Sequence, residues 1–372
     1  MTPWLIGILI AVAVVVFLAR TRRGSVDEST AAIALESDAP PSSAAATGTW
    51  AEPASVTPQP PSGDAVEVRA QTLRALKELA FGTLVPATAL VIPASDALCA
   101  EVGRTLAHIV DKPNYAPRRP MQLPRLMQAI NDETASRGAL SQIIAGDPAL
   151  AGNLLRLANS PYYRHSSEPI ESLDRAVAML GIEGLRSMIA AALLQPVFRT
   201  SGGSFAQFGE VTWEYSLFAA NAAELHAVKV ESADPFAAQL LGLLLGLAHI
   251  VVFSVARDAF LAQQRSPDAG LIGALIDAHG VSVARQVASS WELSERIDAA
   301  LADQLVVRAD PRAPAPTPLG RSLHFGEYIG ALAVLRQRGA IDDAAALTAL
   351  QFAPAPAATT ERVWGRLGFM PA

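Results

Sequence analysis

Residues 147–160 read DPALAGNLLRLANS, and this stretch decides the fold class. Asp147 is of a type that caps helix N-termini, and Pro148 suits the first helical position because its missing N–H needs no partner there. Asn159 and Ser160, followed by a proline, end the pattern. The apolar residues between these two signals recur at helical spacing: Leu150, Leu154, Leu157 and Ala158. The stretch therefore predicts an amphipathic α-helix that buries one face.

The same apolar period continues along the chain from residue 69 onward, with no convincing run that alternates as a half-buried strand does. Ser172 caps one further helix, in which Leu180 faces the core and Gly181 supplies the turn at the C-terminal end. The remaining predicted helices cover residues 72–80, a segment from Pro124, 211–227, 235–260, 270–291, 294–306, 318–338, 342–351 and 359–367. We predict an all-α domain.

The composition of the 372-residue chain agrees with this fold class. Hydrophobic residues make up 51% of it but aromatic residues only 6%, and the mean hydropathy is +0.28, so the apolar excess is aliphatic. Aliphatic, alanine-rich composition favours helices over a β-sandwich. The single cysteine, Cys99, excludes an intramolecular disulfide framework and any cysteine-rich zinc site. A net charge of −6 argues against a generally basic nucleic-acid binder.

The N-terminus carries a separate apolar segment. Residues 3–19 contain no charge, and Arg20, Arg22 and Arg23 follow at once. Seventeen helical residues span roughly 25 Å, the short end of what crosses a bilayer. Since basic flanks stay in the cytoplasm, the pattern predicts a single-pass anchor that contacts the lipid bilayer through residues 3–19. We expect a protein of the inner (cytoplasmic) membrane whose C-terminal domain lies in the cytoplasm.

A linker follows the anchor. Residues 24–68 are rich in Ala, Ser, Thr and Pro and carry seven acidic residues, with no Lys or Arg between Arg23 and Arg69. Such a segment buries too little apolar surface to offset its ordering entropy, so we predict a disordered tether over 20–68. The chain from Arg69 onward has a net charge of only −2. The predicted folded part is therefore nearly neutral, which suits protein contacts better than nucleic-acid binding.

Three sequence blocks occur in order between residues 122 and 198: DPAL at 147–150, LLRLANS at 154–160, and Leu180-Gly181. In combination they resemble the HDOD domain, an HD-related output domain of bacterial signalling proteins. The resemblance implies an HDOD-like helix bundle over residues 120–310. On either side of this bundle we predict a helical lead-in over 69–119 and a C-terminal helical extension over 311–372.

The resemblance also raises the question of metal chemistry, because HDOD domains are related to HD-type metal-dependent phosphohydrolases, whose site is centred on an adjacent His-Asp pair. This chain has no His-Asp dipeptide and reads GLLLG at 242–246, so Leu245 and Gly246 stand at the pair's positions. Tyr215 stands where a first His is expected, and a further His position falls near Asp303 and Gln304. Leucine and glycine offer no metal-binding side chain. We therefore predict no catalytic residue, no metal site and no cofactor.

The family-motif residues have two possible roles. They either build the scaffold or form a surface for a partner, and both roles stay open: Asp147, Pro148, Leu154, Leu155, Asn159, Ser160, Leu180 and Gly181. Among the histidines, His249 lies in an apolar segment and is expected to be a core residue with a satisfied hydrogen bond. His226 is expected at the surface or partly buried.

These observations predict a non-catalytic, membrane-tethered regulatory module that binds signalling proteins. The alternative is a residual HD-type phosphohydrolase or a nucleotide-binding protein. A third class, DNA binding, would use residues 173–180 and 182–194 as a helix-turn-helix. The would-be recognition helix has one basic residue among 183–192, whereas a groove-reading helix exposes more Arg, Lys, Asn or Gln. No nucleic-acid partner is expected.

Overall fold

The computed structural model describes residues 62–85, 97–117, 119–120, 144, 148–159, 170, 175–176, 191 and 204–369. All of them lie in one compact unit, Thr57–Ala372. The predicted anchor at 3–19, the tether up to residue 61, all of the possible helix-turn-helix except residues 175, 176 and 191, and the motif residues Asp147, Ser160, Leu180 and Gly181 lie outside the described residues.

Every regular element in the described part of the chain is helical, as predicted. In chain order the α-helices are α1 (Gly63–Phe81), α2 (Ala97–Ala107), α3 (Pro148–Ala158), α4 (Phe208–His226), α5 (Pro235–Ala262), α6 (Ala269–Ser290), α7 (Glu295–Ala309), α8 (Pro318–Gln337), α9 (Asp343–Leu350) and α10 (Ala357–Arg366). A short 3₁₀ turn, Ile109–Asp111, follows α2, and a π-helical turn, Ala227–Glu231, follows α4.

Local capping signals explain why the boundaries after residue 204 were predictable. Asp234 accepts a hydrogen bond from the Ala237 N–H (3.1 Å) ahead of a proline at the first position of α5. Thr317 does the same for the Gly320 N–H (3.0 Å) at the start of α8. Side-chain oxygens at these positions satisfy N–H groups that have no partner inside the helix.

The first helix corrects the predicted linker boundary. α1 was expected over 72–80 but begins at Gly63, where Ser62 Oγ accepts from the Ala65 N–H at 3.2 Å. Residues 63–68, assigned to the disordered linker, are therefore helical. The buried positions of α1 include Arg69 and Thr72, which are polar and hide the helical period from a search for apolar residues. Helix α2 lies in the predicted helical lead-in over 69–119, for which no separate bounds were predicted here; Leu98, Val102 and Leu106 repeat every fourth residue and are buried.

Helices α4, α5 and α8 form the centre of the fold. Helix α4 packs against both α5 and α8, and α1 lies on α4 and α8. Helix α6 packs on α5, and α7 packs on α6 and α8. Small residues allow the central helices to approach closely. A Cβ added to Gly330 would lie 2.6 Å from the Ala219 N, and one added to Gly242 would lie 2.8 Å from the Ala220 Cα.

Helix α5 is long and apolar enough to cross a membrane by length and composition. Its most apolar stretch is 94% buried inside the protein, however, and helices α4, α6 and α8 surround it. A helix that is apolar on all sides is typical of the centre of a large helical domain. We therefore describe α5 as the core helix of the bundle.

Candidate functional site

The structure describes four of the motif residues, in α3 and at its C-terminal end: Pro148, Leu154, Leu155 and Asn159. Leu154 is fully buried and Leu155 is half-buried against the core, while Pro148 opens the helix. Asn159 connects the end of α3 to a distant backbone segment. Its Nδ2 donates to the carbonyls of Leu155 and Ile170, and its Oδ1 accepts from the Ile170 N–H, all at 2.8 Å. Because both ends of the amide are used, Asn159 has a structural role in this arrangement.

The positions of the expected metal ligands hold buried core residues. Leu245 and Gly246 are buried in the middle of α5, and Tyr215 is buried on α4. Asp303 is also engaged, since its Oδ2 accepts from the backbone N–H (2.7 Å) and the hydroxyl (2.6 Å) of Thr317. Gln304 donates to the carbonyls of Ala300 and Gly320.

No three His, Cys, Asp or Glu side chains in the described ranges lie together in a way that could hold a metal ion. An HD-type centre needs several imidazoles and carboxylates converging on a cation. The residues present at the corresponding positions, Tyr215, Leu245 and Gly246, do not fit that group.

The structure contains a cavity of about 460 Å³, and Tyr215 forms part of its wall. It lies between α1 and the central helices, and six helices contribute its polar lining: Arg69, Arg74 and Lys77 on α1, Tyr215 on α4, His249 on α5, Asp277 on α6, Gln304 and Arg308 on α7, and His324 and Glu327 on α8. Apolar residues complete the wall, among them Leu73, Val211 and Ile276. The volume is within the range of small-molecule sites.

Arg69 reaches from α1 to α8 across the cavity. Its Nε donates to the Ala65 carbonyl at 3.1 Å, and its Nη1 lies 2.6 Å from His324 Nε2. Because a guanidinium only donates hydrogen bonds, His324 Nε2 is the acceptor and the imidazole is neutral, with its proton on Nδ1. Burial, assisted by the positive charge of Arg69, lowers the pKa of His324 to about 3.

Arg69 has no anionic partner in the described part of the chain. Arg69 is only 8% exposed. Burial lowers its pKa and the phenol of Tyr328 opposes this shift; no carboxylate contributes to it. The nearest hydrogen-bonded side chain, His324, is neutral. A buried guanidinium without a counterion is unusual, since burying an unpaired charge costs several kcal/mol.

His249 and Tyr215 form another part of the wall. Their rings lie nearly parallel, with centroids 6.3 Å apart. Burial, together with the positive charges of Arg308 and Lys77, lowers the pKa of His249 to about 3. Its Nε2 is buried without a hydrogen-bond partner among the described residues, so the expectation of a satisfied core histidine is wrong for this atom. His226, expected near the surface, is in fact buried beside Ser322 and Phe325.

The two carboxyl groups of the cavity, on Asp277 and Glu327, differ in their exposure and in their ion pairs. Asp277 is exposed and pairs with Lys77. Glu327 is buried on α8, and burial raises its pKa to about 7, although Arg308 opposes this shift. The Arg308 Nη2 is 3.9 Å from Glu327 Oε1, and its Nη1 donates to the Asp277 carbonyl at 2.7 Å. Near neutral pH the cavity therefore carries more positive than negative charge.

Sequence reasoning missed most of this cavity. Arg69 was placed at the edge of the linker, and Arg308, His324 and Glu327 were not recognised as a group. One signal was available: Glu327 is the only acidic or basic residue, histidine aside, between Arg321 and Arg336 on an otherwise apolar helix. A lone carboxylate in such a run indicates a buried group with a specific environment.

Residues 116–305 match the family model of the HDOD domain. An uncharacterized protein of Treponema pallidum (strain Nichols) is 21% identical over 214 residues, which are 56% of this chain and 41% of that relative. The chain thus matches less than half the length of that protein.

Two solved structures also resemble this chain. An HDOD domain protein with unknown function from Geobacter sulfurreducens is 23% identical and covers 61% of this chain and 77% of its own, with a TM-score of 0.45. A "Putative phosphohydrolase" from Shewanella amazonensis SB2B is 19% identical and covers 74% of this chain and 97% of its own, with a TM-score of 0.48. Likenesses of this size assign no activity to the chain.

Proposed function

The chain belongs to the HDOD family, and from that premise we propose that it is a non-catalytic regulatory module of bacterial signal transduction. The observation that supports this proposal is that Tyr215, Leu245 and Gly246 stand at the positions where an HD-type site would have metal ligands. Leu245 and Gly246 are buried in the middle of α5, and Tyr215 is buried on α4. A domain with packing residues in place of metal-ligating side chains still has the helical scaffold of the family and the surfaces of that scaffold. Those surfaces would then contact signalling proteins.

The proposal includes the membrane tether predicted from the sequence. Residues 3–19 would hold the domain at the inner face of the cytoplasmic membrane, and confinement there would raise its local concentration near membrane-bound partners. Deleting residues 1–23 should move the protein from the membrane fraction to the soluble fraction. A deletion variant that still sediments with membranes would contradict the tether.

The alternative is a residual metal-dependent phosphohydrolase, and the two functions differ in their response to metal. We expect no saturable binding of Mn²⁺ when the full chain is titrated by calorimetry after removal of metal with a chelator. Tyr215→Phe should leave this result unchanged, because the phenol is not a ligand. Stoichiometric Mn²⁺ binding that Tyr215→Phe, Asp277→Asn or Glu327→Gln weakens would support the phosphohydrolase instead.

A further inference from the structure

We propose that the cavity between α1 and the central helices binds a small organic anion with an apolar body. The anionic group would contact Arg69 and Arg308, and the apolar part would lie against Leu73, Val211 and Ile276. This inference does not depend on the regulatory function proposed above, because it rests on the cavity alone.

The charge arrangement is the first argument. Of the cations that line the cavity, Lys77 already pairs with Asp277. Arg69 has no carboxylate partner in the described ranges, and Arg308 is 3.9 Å from a carboxylate that is close to half protonated at neutral pH. At least Arg69 and Arg308, of the three guanidinium groups that line the cavity, are therefore available, and guanidinium binds phosphate or carboxylate oxygens through charge-assisted hydrogen bonds.

The shape and lining of the cavity are the second argument. About 460 Å³ exceeds what a simple inorganic ion needs, and much of the wall is aliphatic or aromatic. A ligand with only a charged group would leave this wall without contacts. The nearly parallel rings of Tyr215 and His249 add further contact groups to one side, as does His249 Nε2, which has no hydrogen-bond partner among the described residues.

The origin of the lining residues is the third argument. The family match ends at residue 305, whereas Arg69, Arg308, His324 and Glu327 lie outside it. The two proposed anion-binding groups are thus supplied by the flanking helix α1 and by the end of α7, and α8 places His324 and Glu327 beside them. Because α1 follows the predicted tether, an anion bound to Arg69 would hold the membrane-proximal helix against the domain.

The test compares anionic probes with uncharged compounds of similar shape. Binding of AMP and adenosine, and of phenylacetate and phenylacetamide, is measured by calorimetry on the purified full chain at pH 7. We expect at least one anion to bind more tightly than its uncharged counterpart. The AMP pair reports a phosphate ligand and the phenylacetate pair a carboxylate ligand. If neither anion binds better than its uncharged counterpart, the proposal is wrong.

Variants that remove either a positive or a negative charge from the cavity test whether the anion binds there. Arg69→Gln and Arg308→Gln should each weaken anion binding roughly tenfold or more. Glu327→Gln removes a competing negative charge and should strengthen it, and Arg104→Gln, an exposed change on α2, should leave it unchanged. Hydrogen exchange of α1 should slow when the anion binds. Unchanged affinity in Arg308→Gln and Glu327→Gln would contradict the proposal even if Arg69→Gln failed to fold.

Discussion

Gly330→Ala should lower the free energy of unfolding by about 3 kcal/mol, although alanine normally stabilises a helix relative to glycine. A Cβ at this position would lie 2.6 Å from the Ala219 N and 2.8 Å from the Ala219 Cα, so helices α8 and α4 would have to separate. Backbone atoms of a packed helix cannot move aside as a flexible side chain can. Urea unfolding of the full chain, followed by circular dichroism, measures the change.

Gly152→Ala is the matched control for this prediction. Gly152 also lies inside a helix, α3, but a Cβ added there has nothing within 4 Å. This substitution should stabilise the protein by about 0.5–1 kcal/mol, because only the backbone entropy of the glycine is removed. If both variants stabilised the protein to a similar extent, the close approach of α4 and α8 would be wrong.

Glu327→Gln should stabilise the protein by about 2 kcal/mol at pH 8 and have little effect at pH 5. Burial raises the pKa of Glu327 in the folded protein to about 7, from a usual value of 4.5. A carboxyl with a raised folded-state pKa stabilises the fold at low pH, and this contribution is lost as the pH rises from 4.5 through 7. The neutral amide of glutamine carries no such penalty.

The groups that face Glu327 determine the size of this effect. Arg308 on α7 favours the charged form, whereas Asp277 on α6 disfavours it. His324 and His249 are neutral near pH 7, because burial lowers the pKa of each to about 3. Urea titrations of both proteins between pH 5 and 8 test the prediction. A variant that is less stable than the parent at pH 8 would show that Glu327 is ionised and held by Arg308.

The buried histidines make stability depend on pH in the opposite direction from Glu327. A histidine whose folded-state pKa is depressed contributes stability above pH 6.5, which is lost as the pH falls below that value. His226, with a pKa lowered by burial to about 4, joins His249 and His324 in this group. Comparing the variant with the parent at each pH removes this shared contribution, so the difference reports Glu327.

The helices of residues 204–369 could be predicted because their signals are local. Asp234-Pro235 and Thr317-Pro318 mark helix starts in the sequence, and the observed ends agree with the predicted ones within three residues. Helix α1 was predicted too short because Arg69, a buried residue, resembles a surface residue in the sequence. Its burial depends on α8, whose His324 lies 255 residues further along the chain.

The sequence alone identifies only the positions of the candidate site that correspond to the His-Asp pair. The absence of a His-Asp pair is a property of the sequence, and the structure places Leu245 and Gly246 in the core of α5. The cavity depends on six helices that meet in space, and no spacing rule relates Arg69, Arg308 and Glu327. Its chemistry depends on burial, which raises the pKa of Glu327, and on Arg69, which has no carboxylate partner in the described part of the chain.

The most direct test of the central claim, that this HDOD domain carries no HD-type metal chemistry, is hydrolysis of a phosphodiester by the purified full chain with Mn²⁺ or Mg²⁺. Bis(p-nitrophenyl) phosphate is a suitable general probe because its product is coloured. We predict the same rate with metal and protein as with metal alone. Metal-dependent turnover that follows the protein through purification and is abolished by Glu327→Gln or Asp277→Asn would contradict the claim.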